Sequence, residues 1–343
     1  MTPFVVKLEI AAYRGMAGLV LDELRPVTLI VGPNNSGKSS VLEAIGLALR
    51  APDPGQWLAT ARLREADLHV PDGLWGLFPG GGVLRLEDGP QTSSRLEVRT
   101  WLGSGPTRAL SASCAASEDW AGDERAGAGL VVDVTLDGAA PAELEFRRGA
   151  SSAWLPGHAH RVFTVTTATH RSTKALVALL SGVVDLGRKR LAVDVLRLFD
   201  ADVEDLDVVA SLGREAVRVT HRTRGVADLA TFGDGMRRAA ALALALVRAA
   251  GGVLLVDELE VGIHPGVLGK VYETLVHGAR DLETQVVATT HSLEAVDAML
   301  AATAEVPEAL CAFWLERGGP SPAARRYDHA RLTRMRESGL DVR

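Results

Sequence analysis

The chain has 343 residues, 47% hydrophobic and 23% charged, with a formal net charge of −6, which is ordinary globular usage with ample material for a core. No stretch approaches an uncharged membrane span, the most apolar window (239–247) being short and alanine-rich. Residues 1–10 lack the pattern of a leader, so a cytoplasmic protein with no membrane partner is expected. The acidic balance excludes a surface coated for nucleic acid but not a local basic patch, and Cys114 and Cys311 provide neither a disulfide framework nor a metal-ligand spacing.

Residues 5–10 and 19–21 read as a hairpin with Tyr13 and Arg14 between its strands. Tyr13 either stacks on a base or packs in the core; Arg14 either contacts phosphate or forms a surface ion pair. The apolar run 27–31 predicts a strand. It leads into Gly32-Pro33-Asn34-Asn35-Ser36-Gly37-Lys38-Ser39, which fits G-x-x-x-x-G-K-[ST], and then a helix over 40–49 that begins with Ser40. Glycines let such a loop curl so that successive N–H groups and the helix N-terminus surround phosphate oxygens. Lys38 is then expected to reach the β- and γ-phosphates of ATP, and Ser39 to ligate Mg²⁺. Only five of the 37 basic residues are lysine, and one stands here, where a compact ammonium suits phosphate.

Residues 51–159 are rich in Gly, Pro, Ser and Asp and predict an inserted, loop-rich segment. Alternating runs at 84–86, 96–102, 131–136 and 144–146 suggest an antiparallel sheet within it. Residues 162–167 return to the main sheet, and 173–180 and 188–199 predict helices of a lobe spanning about 172–212. No sustained heptad extends that lobe into a long coiled coil.

Phe232-Gly233-Asp234-Gly235-Met236 precedes a very apolar helix over 237–250. Gly233 and Gly235 permit close backbone approach to an anion, and Asp234 either takes part or simply caps the helix. The run 253–256 ends in Asp257-Glu258, and a buried parallel strand carries functional carboxylates at its C-terminal end. Asp257 is expected to hold Mg²⁺, and Glu258 to orient or deprotonate the attacking water. A third strand, 285–290, ends in His291-Ser292, whose imidazole suits a γ-phosphate contact. Glu260 either bonds across an interface or is a surface carboxylate, and His264 stands too isolated to bind metal. A last strand (309–315) and a basic helix follow. Arg188-Lys189-Arg190 and Arg325, Arg326, Arg331, Arg334 and Arg336 are the clusters available to DNA.

Phosphate loop, carboxylate pair and strand-end histidine occur here in the order of ABC-type ATPases. No Asn-Lys-x-Asp guanine-reading element exists, since no lysine follows an asparagine. Phe-Gly-Asp-Gly-Met-Arg-Arg (232–238), Asp-Glu-Leu-Glu-Val-Gly-Ile-His-Pro (257–265), Thr-Thr-His-Ser (289–292) and the terminal Gly-Leu-Asp-Val-Arg resemble prokaryotic AAA-family ATPases of the ABC/SMC type. These are relatives of the ATPase half of overcoming-lysogenisation-defect nucleases and of RecF-type repair proteins.

The resemblance covers the chain to about residue 50 and its C-terminal half. It implies an α/β fold: a P-loop NTPase core of the ABC-ATPase type, with a flanking antiparallel sheet and an inserted helical lobe, whose head comprises 1–50 and 160–343. It further implies ATP and Mg²⁺, a head-to-tail homodimer formed with ATP in which Gly233, Asp234 and Gly235 face the nucleotide of the opposite subunit, and a role in phage defence or repair. A partner effector such as a nuclease or toxin, or DNA, is then expected. The stretch after His291 leaves room for a strand and a helix, not for the Toprim nuclease domain of those relatives.

Gly233 replaces the usual signature serine and Asp234 adds negative charge, so slow turnover is expected; a scaffold or DNA clamp with little turnover is the alternative. The energising subunit of a transporter fits less well, because neither Gln56 nor Gln91 has the setting of a Q-loop glutamine.

Overall fold

The computed structural model describes residues 2–62, 70–81, 92–103, 105–116, 130–147, 150–151, 157–211, 214–316 and 323–342. In chain order, β1 (Val5–Tyr13), β2 (Met16–Asp22) and β3 (Val27–Val31) precede α1 (Lys38–Leu49), α2 (Pro54–Arg62) and α3 (Val70–Trp75). Then come β4 (Leu96–Leu102), β5 (Arg108–Ala116), β6 (Leu130–Leu136), β7 (Ala142–Arg147), β8 (Ala150–Ser151) and β9 (Val162–Val165). The lobe that follows holds α4 (Thr173–Asp185), α5 (Arg190–Arg197), β10 (Val203–Ser211), β11 (Arg214–His221) and β12 (Gly225–Asp228). The chain continues with α6 (Asp234–Arg248), β13 (Val253–Val256), α7 (Pro265–Asp281), β14 (Gln285–Thr289), α8 (Leu293–Ala302), β15 (Leu310–Leu315), β16 (Ala324–Asp328) and α9 (His329–Glu337).

The central sheet has the order β16-β15-β3-β14-β13-β9 and is parallel except for β16. Every residue of β3, β13 and β14 is buried, which explains why these strands read as unbroken apolar runs instead of alternating ones. Successive side chains still face opposite layers. Val27, Leu29 and Val31 join a core with α4 to α8, whereas Ile30, Leu255, Val287 and Phe313 join a second core built around α1. Each such apolar side chain stabilises the fold by roughly 1.5–3 kcal/mol relative to exposure.

The second core is closed by a seven-stranded antiparallel sheet, β2-β1-β4-β5-β6-β7-β8. The N-terminal hairpin and the strands of the inserted segment are therefore one sheet, since β1 pairs with β4. Helix α1 lies between that sheet and the central one. Gln285, at the start of β14, joins the two layers: its Oε1 accepts from the Val5 N–H (2.7 Å), and its Nε2 donates to the Val5 and Arg25 carbonyls (2.9 and 3.0 Å).

The expected helices of the lobe are present as α4 and α5, but its remainder departs from expectation. Residues 203–211 are strand, and they open a three-stranded antiparallel sheet, β10-β11-β12. A register shift between Val203 and Asp205 breaks the alternation of β10, so its period of two is obscured in the sequence. The run 84–86 lies outside the described residues. Among the described residues no helix is long and apolar enough to cross a membrane.

Candidate nucleotide-binding site

The glycine loop leaves β3 where backbone approach is closest. Gly32 has φ +144°, and a Cβ there would stand 2.7 Å from the Leu315 carbonyl oxygen on β15, so only glycine fits. Gly37, at φ +92°, ends the loop against the Met16 sulfur and is the N-cap of α1, which begins without a side-chain cap. Lys38 Nζ donates to the carbonyls of Gly32 (2.8 Å) and Pro33 (2.9 Å), wrapping the amine around its own loop. Burial pulls the Lys38 pKa below its usual value, against the opposing pull of Glu258, Asp257 and Glu260.

Three segments converge on this loop. Ser39 Oγ donates to Asp257 at the end of β13 (3.0 Å to Oδ1), across 218 positions of sequence. Thr289, at the end of β14, donates its hydroxyl to Asp257 Oδ1 (2.7 Å) and accepts the Glu258 N–H (2.8 Å). Glu258 adopts a left-handed backbone, φ +50°, which for a non-glycine residue is strained and is found where surroundings over-determine it. The cavity so formed measures about 560 Å³. Asn34, Asn35, Gly37, Lys38, Ser39 and Ser40 line one side, Asp257, Glu258 and Thr289 another, and Thr164, Thr166 and Thr167 a third.

These residues fit a magnesium nucleoside triphosphate. Ser36 Oγ is buried inside the loop without a hydrogen-bond partner, and the loop is shaped so that an added Cβ at Gly32 would fill its turn. The hydroxyls of Ser39 and Thr289 and the Asp257 carboxylate are hard oxygen donors of the kind Mg²⁺ selects.

His291 lies beyond the carboxylates. Its Nδ1 is 3.2 Å from Glu260 Oε1 and 3.9 Å from Glu258 Oε1, and its backbone N–H donates to the same Glu260 oxygen (3.1 Å). It does not line the cavity. Glu260, open at the sequence level between interface and surface, is largely buried and holds His291 within its own chain.

Gly233, Asp234 and Gly235 are not brought to the cavity. Gly233 is the exposed N-cap of α6, and Asp234 is its first residue and caps nothing with its side chain. That carboxylate instead accepts from Arg171 (2.9 Å) and stands 3.1 Å from Nε2 of the buried His170. Arg171 first, and His170 second, hold the Asp234 pKa below the usual carboxylate value. Gly235 is closed in by its own chain: a Cβ would meet the Gly262 carbonyl at 2.7 Å.

The two open readings at the N-terminus are decided. Tyr13 is fully buried and donates to Glu43 Oε2 (3.0 Å), and Arg14 donates to the same oxygen (2.6 Å) in a buried rather than surface ion pair. Gln56 bonds Thr60 within α2, and Gln91 lies outside the described residues; among the described residues the wall beside β9 is formed by Thr164, Thr166 and Thr167.

Sequence reasoning missed Thr289 and Arg238. The signal for Thr289 is a hydroxyl ending an apolar strand. Arg238 is a second arginine on a helix whose other faces are apolar; its guanidinium donates to the carbonyls of Thr166, Asp257 (2.8 Å) and Glu258 (3.0 Å).

The family model described as "AAA domain, putative AbiEii toxin, Type IV TA system" matches residues 27–297, a span that includes the glycine loop and the stretches 232–238, 257–265 and 289–292. No curated protein sequence matches the chain. Among solved structures, an SMC head bound to the C-terminal winged-helix domain of ScpA matches with a TM-score of 0.51 at 13% identity, over 95% of this chain and 98% of that one. The SMC head domain from Thermotoga maritima gives 0.49 at 14% identity, over 95% and 99%. A Pyrococcus furiosus SMC head complex gives 0.48 at 12%, over 98% and 99%. The chain belongs to the AAA-domain family of that description, and its fold is the P-loop core of an ABC-type ATPase head, as in SMC proteins.

Proposed function

We propose that the protein is an ATP-binding and ATP-hydrolysing switch whose two copies close head to tail on two nucleotides, and whose opening and closing controls a partner effector or a DNA transaction in phage defence or repair. The observation that carries this is the meeting of Ser39 with Asp257 beside the glycine loop, with Glu258 next in line. In this reading Lys38 exchanges its two loop carbonyls for β- and γ-phosphate oxygens, and the loop N–H groups take the remaining phosphate charge. Ser39 and Asp257 hold Mg²⁺, whose chemistry is to neutralise charge developing on the phosphates. Glu258 takes the proton of the attacking water on a carboxylate oxygen, and His291, held by Glu260 just outside the cavity, is the group placed to report the γ-phosphate when a nucleotide is bound.

The second composite half comes from the partner copy, whose residues 233–235 sit at a helix N-terminus suited to an anion. A scaffold or clamp with little turnover is favoured by one feature: Gly233 presents no side-chain donor there, so transition-state stabilisation is weaker than with a hydroxyl. Steady-state ATPase measured beside nucleotide affinity separates the two. Turnover that disappears in Glu258→Gln while ATP still binds and drives dimerisation supports the switch. A wild-type protein that dimerises on ATP without hydrolysing it supports the scaffold.

A further inference from the structure

Arg238 lies four residues into α6, the helix whose N-terminus carries 233–235, and none of its surface is exposed. A guanidinium is expensive to bury, and an apolar side chain of similar volume would fill the space. What it does there is specific: it gathers three main-chain carbonyls, Thr166 just beyond β9 and Asp257 and Glu258 at the end of β13. One of the three belongs to the residue held at φ +50°. Burial draws the Arg238 pKa down only to about 10, so it remains a cation at neutral pH, with the carboxylates of Asp257, Glu260 and Glu258 favouring that charge. Its Nε and the hydroxyl of Tyr272 are buried without hydrogen-bond partners, so this arginine is spent on the backbone of the carboxylate loop.

We infer that Arg238 is a positioning residue: it clamps the left-handed backbone of Glu258 so that the carboxylate stands in the cavity, and it ties that placement to the helix end bearing Gly233–Gly235. This rests on the proposed role of Glu258. If the helix end meets a nucleotide on a second copy, the same guanidinium, about one helical turn from that end, carries its displacement to the Glu258 backbone.

The test uses Arg238→Lys, which keeps the charge but cannot span three carbonyls, with Arg238→Gln as the second variant if the first does not fold. Affinity for a non-hydrolysable ATP analogue is expected to stay within about threefold of wild type while kcat falls about tenfold or more. Without nucleotide, amide hydrogen exchange is expected to quicken in peptides covering 257–261 and 166–169 and not elsewhere. Unchanged kcat, loss of affinity and kcat together, unchanged exchange at 257–261, or failure of both variants to fold would each overturn the inference. Should Glu258→Gln alone hydrolyse ATP at the wild-type rate, the role of Glu258 is what fails, and the exchange pattern alone decides whether Arg238 clamps the loop.

Discussion

The phosphate-loop side of the head and the helix end at 233–235 differ in how far each is finished within one chain. Around the loop, the hydroxyls of Ser39 and Thr289 already meet the Asp257 carboxylate, three segments far apart in sequence joined at buried strand ends, with Lys38 and Glu258 lining the same cavity. At the helix end, Gly233 is exposed, and a Cβ added there would have nothing within 4 Å. One side is an assembled site; the other presents Gly233, a glycine that no neighbour in the chain requires, beside a Gly235 that its own chain does require. A residue that its own protomer does not constrain is the natural place to look for a constraint from a second copy.

The largest effect is expected on the assembled side. Replacing Lys38 by Ala removes the ammonium that closes the loop, and ATP hydrolysis should fall by about a hundredfold or more. Wild-type turnover in that variant would remove the loop from the chemistry altogether.

The helix end should respond as strongly, but in trans. Gly235→Arg is a poor probe because its side chain would strike Gly262 in the same chain, whereas Gly233→Arg leaves the protomer undisturbed. Pure Gly233→Arg should be inactive. An equimolar mixture with Lys38→Ala should regain about a quarter of wild-type activity, since half the dimers are mixed and each has one whole site. No recovery, together with a Glu258→Gln protein that stays monomeric in ATP and Mg²⁺, would show that the helix end never meets a nucleotide on another copy.

Thr289→Val sharpens the contrast from within. It strips Asp257 of one donor and leaves the Glu258 N–H without its acceptor. A loss of roughly 1–3 kcal/mol in stability, read by urea denaturation, and a tenfold order of loss in kcat are expected. Full activity would mean that the Asp257 carboxylate holds its place without the hydroxyl.

What could be read from the sequence divides along similar lines. Gly32 to Ser39 and Asp257-Glu258 were legible because each is contiguous and flanked by an apolar run that announces a buried strand. Arg238 was not, because its partners are carbonyls, which every residue carries, on strand ends whose proximity exists only after folding. The strands at 203–228 were hidden in a lobe announced by its helices, with the bulge in β10 interrupting the one alternation that marked them. The pairing of the N-terminal hairpin with β4 was likewise invisible, since nothing local in 5–13 names its partner ninety residues on.

The smallest effect belongs to Asp234, whose carboxylate is tied to Arg171 and His170 in its own chain. Its pKa is lowered in the folded state, mainly by Arg171, so its contribution to stability is present above the ordinary aspartate range and is lost as pH falls through the folded value. The pair is partly exposed, so the difference in stability between wild type and Asp234→Asn should be no more than about 1 kcal/mol near neutrality, and screened by salt. Thermal melts should show that gap at pH 7 and close it as the solution is acidified below the pKa of an unfolded aspartate. ATP turnover offers the complementary reading. If Asp234 only orders its own helix end, Asp234→Asn should hydrolyse ATP at the wild-type rate; if its charge faces the phosphates of a second copy, neutralising it should raise turnover or tighten the ATP-bound dimer, even as the protomer becomes slightly less stable. A loss of stability with raised turnover would assign this carboxylate to the partner's nucleotide, and a loss of stability with unchanged turnover would return it to its own fold.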